Sequence, residues 1–313
     1  MRWIKKGRIF DPQNNSSGWI KNYAAIPVAD LIDDETLRIY FSTRDDKGRS
    51  LPTFIEVAPD KPEEIKYVHN EQILPLGEPG TFDDSGIMPS CVVNLENRKL
   101  LYYIGWNPQV TVSYRLSVGL AESFDGGKTF EKVSRGPVCD RSFDEPFFNT
   151  APYVIKENEI WKMWYASCTE WSVVNNHPEP HYHIKYAVST NGIDWQKTQI
   201  VCIDYDDKFT EAIGKPCVYR EEGIYKMIYS HRSVTDYRID RKKSYRLGYA
   251  ESKDGVVWQR KDDEVGIAFS EDGWDSIMQE YATTYVFKGK RYLIYNGNGF
   301  GQTGFGYAIQ EQT

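Results

Sequence analysis

Carboxylates held near one another beside aromatic rings can grip or cleave a sugar, and this chain carries both residue types at recurring positions. Asp83-Asp84-Ser85, Glu145 with Asn149-Thr150, Glu211 with Lys215, and Asp275 with Glu280-Tyr281 each stand ahead of a short apolar run. Arg44-Asp45, Trp106-Asn107, Glu170-Trp171, His231-Arg232, and Asn296 with Asn298 each follow another such run. Carboxyl groups that share a site raise one another's pKa, which keeps a general acid protonated near neutrality. Exposed Trp and Tyr offer flat apolar faces for stacking on sugar rings. No nucleotide-binding or metal-binding motif accompanies the set, so carbohydrate chemistry is the expectation, with Glu211 and Asp84 foremost. Each residue also has a plain structural reading: Asp45 and Asp84 as turn caps, Arg44 and Arg232 as partners in ion pairs.

These groups can meet only if the elements that carry them repeat around a common axis. Three segments share a turn: Val118-Gly-Leu-Ala-Glu-Ser-Phe-Asp-Gly-Gly-Lys-Thr-Phe130, Ile184-Lys-Tyr-Ala-Val-Ser-Thr-Asn-Gly-Ile-Asp-Trp195 and Leu247-Gly-Tyr-Ala-Glu-Ser-Lys-Asp-Gly-Val-Val-Trp258. The shared Ala falls at 121, 187 and 250, and again at 308 in a partial last copy, Phe305-Gly-Tyr-Ala308. Asp or Asn bonds its own backbone in the turn and Gly accepts positive φ. Upstream lie five copies of an apolar strand (Arg38–Ser42, Leu101–Gly105, Lys162–Ala166, Lys226–Ser230 and Tyr292–Asn296), and ahead of each of these another short run. Four strands per repeat, arranged radially, make a propeller blade. The expectation is therefore an all-β, five-bladed β-propeller of four-stranded antiparallel blades, a single domain over residues 1–313. Met1 to Phe10 is read as the missing outer strand, closing the last blade and removing an open edge. Residues just before the innermost strands or just after the second strands then face an axial funnel.

Composition agrees. The chain has 22 Tyr, 14 Phe and 9 Trp with 24 Gly and 15 Pro, the residues of strands and turns, and no stretch with a helical period. The net charge is -7 with no Lys/Arg cluster, so no nucleic-acid partner is expected. Met1 to Phe10 is charged where a signal peptide would be apolar, and no apolar run approaches the ~18 residues that span a membrane, so no membrane association is expected. Five scattered Cys without a C-x-x-C pair imply neither zinc nor a disulfide framework, and fit a cytoplasmic setting. His181 and His183 share one face of a strand, as a metal pair would, but no further ligand has matching spacing, so no metal is assigned.

The repeated Tyr-Ala-x-Ser-x-Asp/Asn-Gly turns at Tyr186 and Tyr249, Asp83-Asp-Ser-Gly-Ile-Met-Pro89 and Lys215-Pro-Cys-Val218 carry a family resemblance. Over its full length the chain resembles the five-bladed propeller glycosidases, the superfamily that includes glycoside hydrolase families 43, 32 and 130. The closing segment Tyr295 to Ala308 also resembles relatives found near bacterial surface-polysaccharide genes. Family 43 enzymes use three carboxylates. By position Asp84 resembles the orienting Asp and Glu211 the acid. The first-blade base has no match in Lys21 to Pro27, which leaves Asp45 or Glu280 to substitute.

The resemblance implies a glycoside hydrolase-like enzyme that cleaves or transfers a glycosidic bond at the axial funnel, with Glu211, Asp84 and Asp45 or Glu280 as the catalytic set. Arg44, Asp83, Trp106, Glu145, Trp171, His183, Lys215, His231, Arg232, Tyr281 and Asn296 would contact the carbohydrate substrate. No cofactor is implied, although related propellers admit a channel calcium. The alternative is a non-catalytic, glycan-binding propeller in surface-polysaccharide biosynthesis. Ser123-x-Asp125-x-Gly127-x-Thr129-Phe130 also fits the Asp-box of sialidases, a turn motif of the blade periphery. The segments Arg135 to Asn149 and Cys168 to His183 exceed ordinary hairpin loops and are expected to wall the funnel.

Overall fold

A computed structural model describes residues 1–15, 18–206 and 211–311. It is all-β with almost no helix. Strand β1 (Trp3–Phe10) opens the chain. Four strands follow as one group, β2 (Asn22–Leu31), β3 (Leu37–Arg44), β4 (Ser50–Ala58) and β5 (Lys61–Val68). The next group is β6 (Gly86–Asn94), β7 (Lys99–Pro108), β8 (Tyr114–Ser123) and β9 (Glu131–Lys132). Then come β10 (Asn149–Glu157), β11 (Ile160–Val174), β12 (His177–Ser189) and β13 (Gln196–Ile203). A further four are β14 (Glu211–Glu221), β15 (Ile224–Ser233), β16 (Arg246–Ser252) and β17 (Gln259–Arg260). The last three are β18 (Glu280–Phe287), β19 (Lys290–Asn296) and β20 (Phe305–Gln310).

Within each group consecutive strands pair antiparallel, giving four-stranded sheets of propeller-like form. The first two groups are joined into one eight-stranded network by a single parallel bridge, Ser50 to Gly86. The last three strands take β1 as their fourth member, in the order β1-β20-β19-β18. The second strand β3 is buried on both faces, because Leu37, Ile39 and Phe41 pack into a cluster with the last group and Tyr40 into one with the second. The core is accordingly a series of inter-sheet clusters; one holds Ile9, Phe10, Phe41, Ile55, Tyr292 and Phe305, packing the last group on the first.

The repeated turns are latches between sheets. Ser123 Oγ and the Asp125 carboxylate accept the turn's backbone N–H groups, and Ser189 with Asn191 and Ser252 with Asp254 do the same. The glycine carbonyl of each turn then accepts a hydrogen bond from a second-strand aromatic of the preceding group: Tyr40 to Gly127 (2.9 Å), Tyr102 to Gly192 (2.7 Å) and Trp164 Nε1 to Gly255 (2.8 Å). Phe130, Trp195 and Trp258, just past the turns, pack edge-on against those same three rings.

Glycine on a third strand makes room for a second-strand ring. A Cβ on Gly119 would lie 2.1 Å from Tyr103 Cζ. Gly119→Ala is expected to destabilise the fold by about 1–3 kcal/mol, read as a lower urea midpoint at unchanged slope.

One irregularity recurs in the first strand of every group. The register with the second strand slips in β2, β6, β10, β14 and β18. In four of the five the slip holds a non-glycine residue at positive φ: Ile26 (58°), Ala151 (49°), Lys215 (51°) and Tyr281 (56°). Such backbone costs about 1–3 kcal/mol per residue and persists only where its surroundings impose it. A bulge re-aims a side chain, and these turn theirs toward one place.

Candidate functional site

The bulge residues Ile26, Ala151, Lys215 and Tyr281, with Met88 from β6, line a single cavity of about 380 Å³. Its floor is apolar, formed by Ile26, Ile104, Ala151 and Ala166 packed with Met88 and Leu116. Its walls are aromatic, with Trp106, Tyr114, Phe148, Tyr182, Tyr237 and Tyr245. Four cationic side chains complete it: Arg44, Lys215, Arg232 and Arg238. Among the described residues no Asp or Glu lines it. The Arg232 guanidinium lies 3.8 Å from the Tyr237 ring centroid, and its Nε donates to Tyr245 Oη at 3.1 Å. Arg44 lies 4.1 Å over Tyr23. Behind the wall Glu179 pairs with Arg238 and accepts from Tyr237 Oη at 3.0 Å.

Of the residues nominated from sequence, Arg44, Trp106, Lys215, Arg232 and Tyr281 reach this cavity. Glu280 lies beside it, next to Tyr281 and within the field of Arg232. The other carboxylates do not arrive; Asp84 and Asp45 cap turns, and Asp83, Glu145, Asp275 and Glu211 belong to a repeated structural clamp. Asp83 accepts from Tyr103 Oη at 2.9 Å and pairs with Lys132 at 2.7 Å. Glu145 accepts from Tyr165 Oη at 2.9 Å and pairs with Lys185 and Lys197 at 2.9 and 3.1 Å. Asp275 accepts from Tyr295 Oη at 2.9 Å and pairs with Lys5 at 2.6 Å. In the fourth group Tyr229 donates to Asp262, Arg260 pairs with Asp262 at 2.8 Å, and Arg260 also holds Glu211 at 3.0 Å. In all four cases a second-strand Tyr and a cation from the outer strand (Lys132, Lys197, Arg260 or Lys5) meet at a carboxylate.

The expected catalytic assignments are corrected accordingly. Burial works to raise the Glu211 pKa, but hydrogen bonds from His231 and Arg260 outweigh it and hold the carboxyl at about 2, the reverse of what a general acid needs. With His231 it lines a separate shallow depression with Lys242, Lys243 and Arg246. Asp84 caps a turn, accepting from Gly80 N (2.8 Å) and Ser85 Oγ (2.7 Å). Asp45 does likewise with Lys47 N, Arg49 N and the Arg49 guanidinium. Because the folded pKa of Glu211 is depressed, the ion network stabilises the fold above about pH 4.5 and is lost as pH falls toward about 2. Urea unfolding of Glu211→Gln against the parent should show the largest deficit near neutrality and a vanishing one near pH 2.

The remaining nominees sit in the frame. Trp171 packs edge-on behind Tyr114 and Phe148. Asn296 stitches the last group to the first, accepting from Ile26 N at 2.7 Å and donating to Ala24 O at 2.7 Å. His183 bonds Asp204 at 3.1 Å and stacks on Tyr205, while His181 is buried against Ser172. Among the described residues no group of three or more His, Cys, Asp or Glu could hold a metal. The segment Cys168 to His183, read as a loop, is instead the extended hairpin of β11 and β12, and it delivers Tyr182 to the cavity. Sequence reasoning missed Tyr237, Arg238 and Tyr245; their signal was the long connection between β15 and β16, which begins at Val234 and ends at Tyr245.

Glu280 is the exception among the acids. It is wholly buried, and among the described residues neither carboxyl oxygen makes a hydrogen bond of normal geometry. Burial pushes its pKa well above the usual carboxylate range, which favours the protonated form that an acid needs over the ionised form of a base.

The fold is that of the glycoside-hydrolase propellers. The structure is similar to that of a glycoside hydrolase (TM-score 0.74, 14% identity, 99% of this chain and 92% of that one). It is also similar to a thermostable family-43 glycoside hydrolase (TM-score 0.67, 13%, 95% and 90%) and to a GH130 protein from work on β-1,2-mannoside hydrolysis in Candida mannan (TM-score 0.66, 16%, 99% and 93%). No family model matches the chain. In sequence it is 37% identical over 311 residues to the uncharacterised protein MT1551 of Mycobacterium tuberculosis strain CDC 1551 / Oshkosh, covering 99% of this chain and 100% of that one. It is 36% identical over the same length to the uncharacterised protein Rv1502 of strain ATCC 25618 / H37Rv. The chain belongs to the family of these mycobacterial proteins.

Proposed function

We propose that residues 1–313 form one ring of five blades closed by β1, and that the chain is a carbohydrate-active protein of glycoside hydrolase type that takes its saccharide in the axial cavity. The observation that carries this is the cavity itself: all five first strands contribute a residue to it, four of them where their register slips, and its walls are rings suited to stacking on sugar faces. Closure is supported by Lys5, since β1 supplies the last group with the outer-strand cation that Lys132, Lys197 and Arg260 supply elsewhere. The five cysteines are free and buried, which supports a reducing, cytoplasmic setting.

In this reading Glu280 is the acid. Its carboxyl is covered and, among the described residues, makes no hydrogen bond of normal geometry at rest. The route to the leaving oxygen therefore has the adjacent Tyr281 phenol turn toward it, giving its own proton to the leaving oxygen as it takes that of Glu280. A panel of aryl glycosides, with and without phosphate, tests the proposal: turnover lost in Glu280→Gln with folding intact supports it. A second reading, binding without turnover, is favoured by the lack of any Asp or Glu among the described residues of the cavity wall. Saccharide binding with no turnover of any substrate would establish that reading instead.

A further inference from the structure

The chain is acidic overall, with a net charge of -7, yet its axial cavity gathers four cations and, among the described residues, no lining carboxylate. Lys215 is the sharpest case. It is 2% exposed, and its Nζ makes one hydrogen bond, to Ser90 O at 3.1 Å, reaching from β14 to β6. Among the described residues it has no carboxylate within ion-pair distance. Arg232, 3% exposed, bonds Tyr245 Oη, Ser233 O and Pro180 O, all neutral, and Glu179 lies 3.9 Å away. Glu179 is itself taken up by Arg238 and Tyr237. Arg44 stacks on the Tyr23 ring. Buried charge without a partner is costly, several kcal/mol per ion by usual estimates. Among the described residues the other buried cations each have a carboxylate, Arg38 with Glu56, Lys185 with Glu145 and Arg232 with the shared Glu179, so pairing is the rule of this fold and Lys215 is where it lapses.

Resting on the saccharide reading above, we propose that the ligand of the axial cavity is an acidic sugar, whose carboxylate, sulfate or phosphate is the counter-ion of Lys215 and Arg232. The aromatic walls take the ring face, and the anionic substituent displaces what hydration the two cations retain. Burial lowers the pKa of Lys215, and an anion beside it raises that pKa again, so binding takes up protons as pH approaches the lysine's own range.

The test is calorimetric titration of the full chain with glucose and mannose, glucuronate and galacturonate, glucose 6-sulfate, glucose 6-phosphate and inorganic phosphate, at low and high salt. Acidic sugars are expected to bind at least tenfold more tightly than neutral ones, and the margin to shrink with salt. The three acidic arms identify which oxyanion is preferred. Lys215→Met should keep or raise the melting temperature, since it removes an unpaired buried charge, while erasing the preference for acidic sugars. Arg44→Gln, at the less buried rim, provides a second variant that should reduce the same preference. Equal binding of neutral and acidic sugars, unmoved by either substitution, overturns this inference and leaves the saccharide reading standing. Phosphate bound without any sugar overturns the saccharide reading and, with it, the acidic sugar. No binding in any arm overturns both.

Discussion

Glu280→Gln is expected to lower turnover by about 10²–10⁴-fold while making the protein more stable at neutral pH. The sign follows from the buried, protonated carboxyl. In the unfolded chain Glu280 ionises above about pH 4.5, whereas the folded state keeps the proton, so rising pH favours unfolding. Each pH unit above that value weakens the parent by at most about 1.4 kcal/mol, until the folded carboxyl itself ionises. The Gln variant has no proton to lose. Melting curves of the two should coincide near pH 4 and separate progressively toward pH 7, with the variant the higher. A separation that does not change with pH would mean that Glu280 is ionised in the fold, and the acid role would fall. Loss of activity together with gained stability is the signature of a group retained for chemistry although it weakens the fold.

The opposite signature is expected at Glu145. Glu145→Ala leaves Lys185, Lys197 and Tyr165 Oη without their common partner, and Asn149 Nδ2 loses its 2.7 Å bond to the same carboxylate. Burial opposes the charge, yet the two lysines hold the Glu145 pKa below its usual value, so the carboxylate is ionised at neutral pH. Removing one member of a buried ion network costs about 3–5 kcal/mol, on the order of 10 °C in melting temperature for a chain of this size. Thermal melts at pH 7 decide it. A loss under about 1 kcal/mol would show the clamp to be slack. Saccharide affinity per folded molecule is expected to survive, because Glu145 lies outside the cavity.

These two glutamates looked alike in the sequence, both being acids ahead of a first strand. What separates them is the company each keeps, and that was partly legible. Tyr103, Tyr165, Tyr229 and Tyr295 occupy equivalent places in their strands, and each meets an acid and an outer-strand cation. The first group has Phe41 at that place. The lack of an acid in Lys21 to Pro27 thus coincides with the lack of a phenol to receive it, and reads better as an omitted clamp than as a missing catalytic base. The turns and second strands were readable because each unit repeats them with the same local chemistry. The cavity was only half readable. Lys215, Tyr281, Arg44, Trp106 and Arg232 stand beside repeated strands, whereas Tyr237, Arg238 and Tyr245 come from a connection with no counterpart in the other groups. Positive φ at Ile26, Ala151, Lys215 and Tyr281 has no sequence signal, since none of the four is glycine.

The pairing of β1 with β20 sets a timetable for synthesis. Strand β1 is made well before its partner β20, and about 300 residues at roughly 5–20 per second is a wait on the order of 15–60 s. Throughout that interval its edge is open to any other strand in the cell. Lys5, Lys6 and Arg8 within β1 give that edge a charge that other nascent chains must overcome. When β20 arrives, Lys5 turns from guard to clasp as its ammonium meets Asp275.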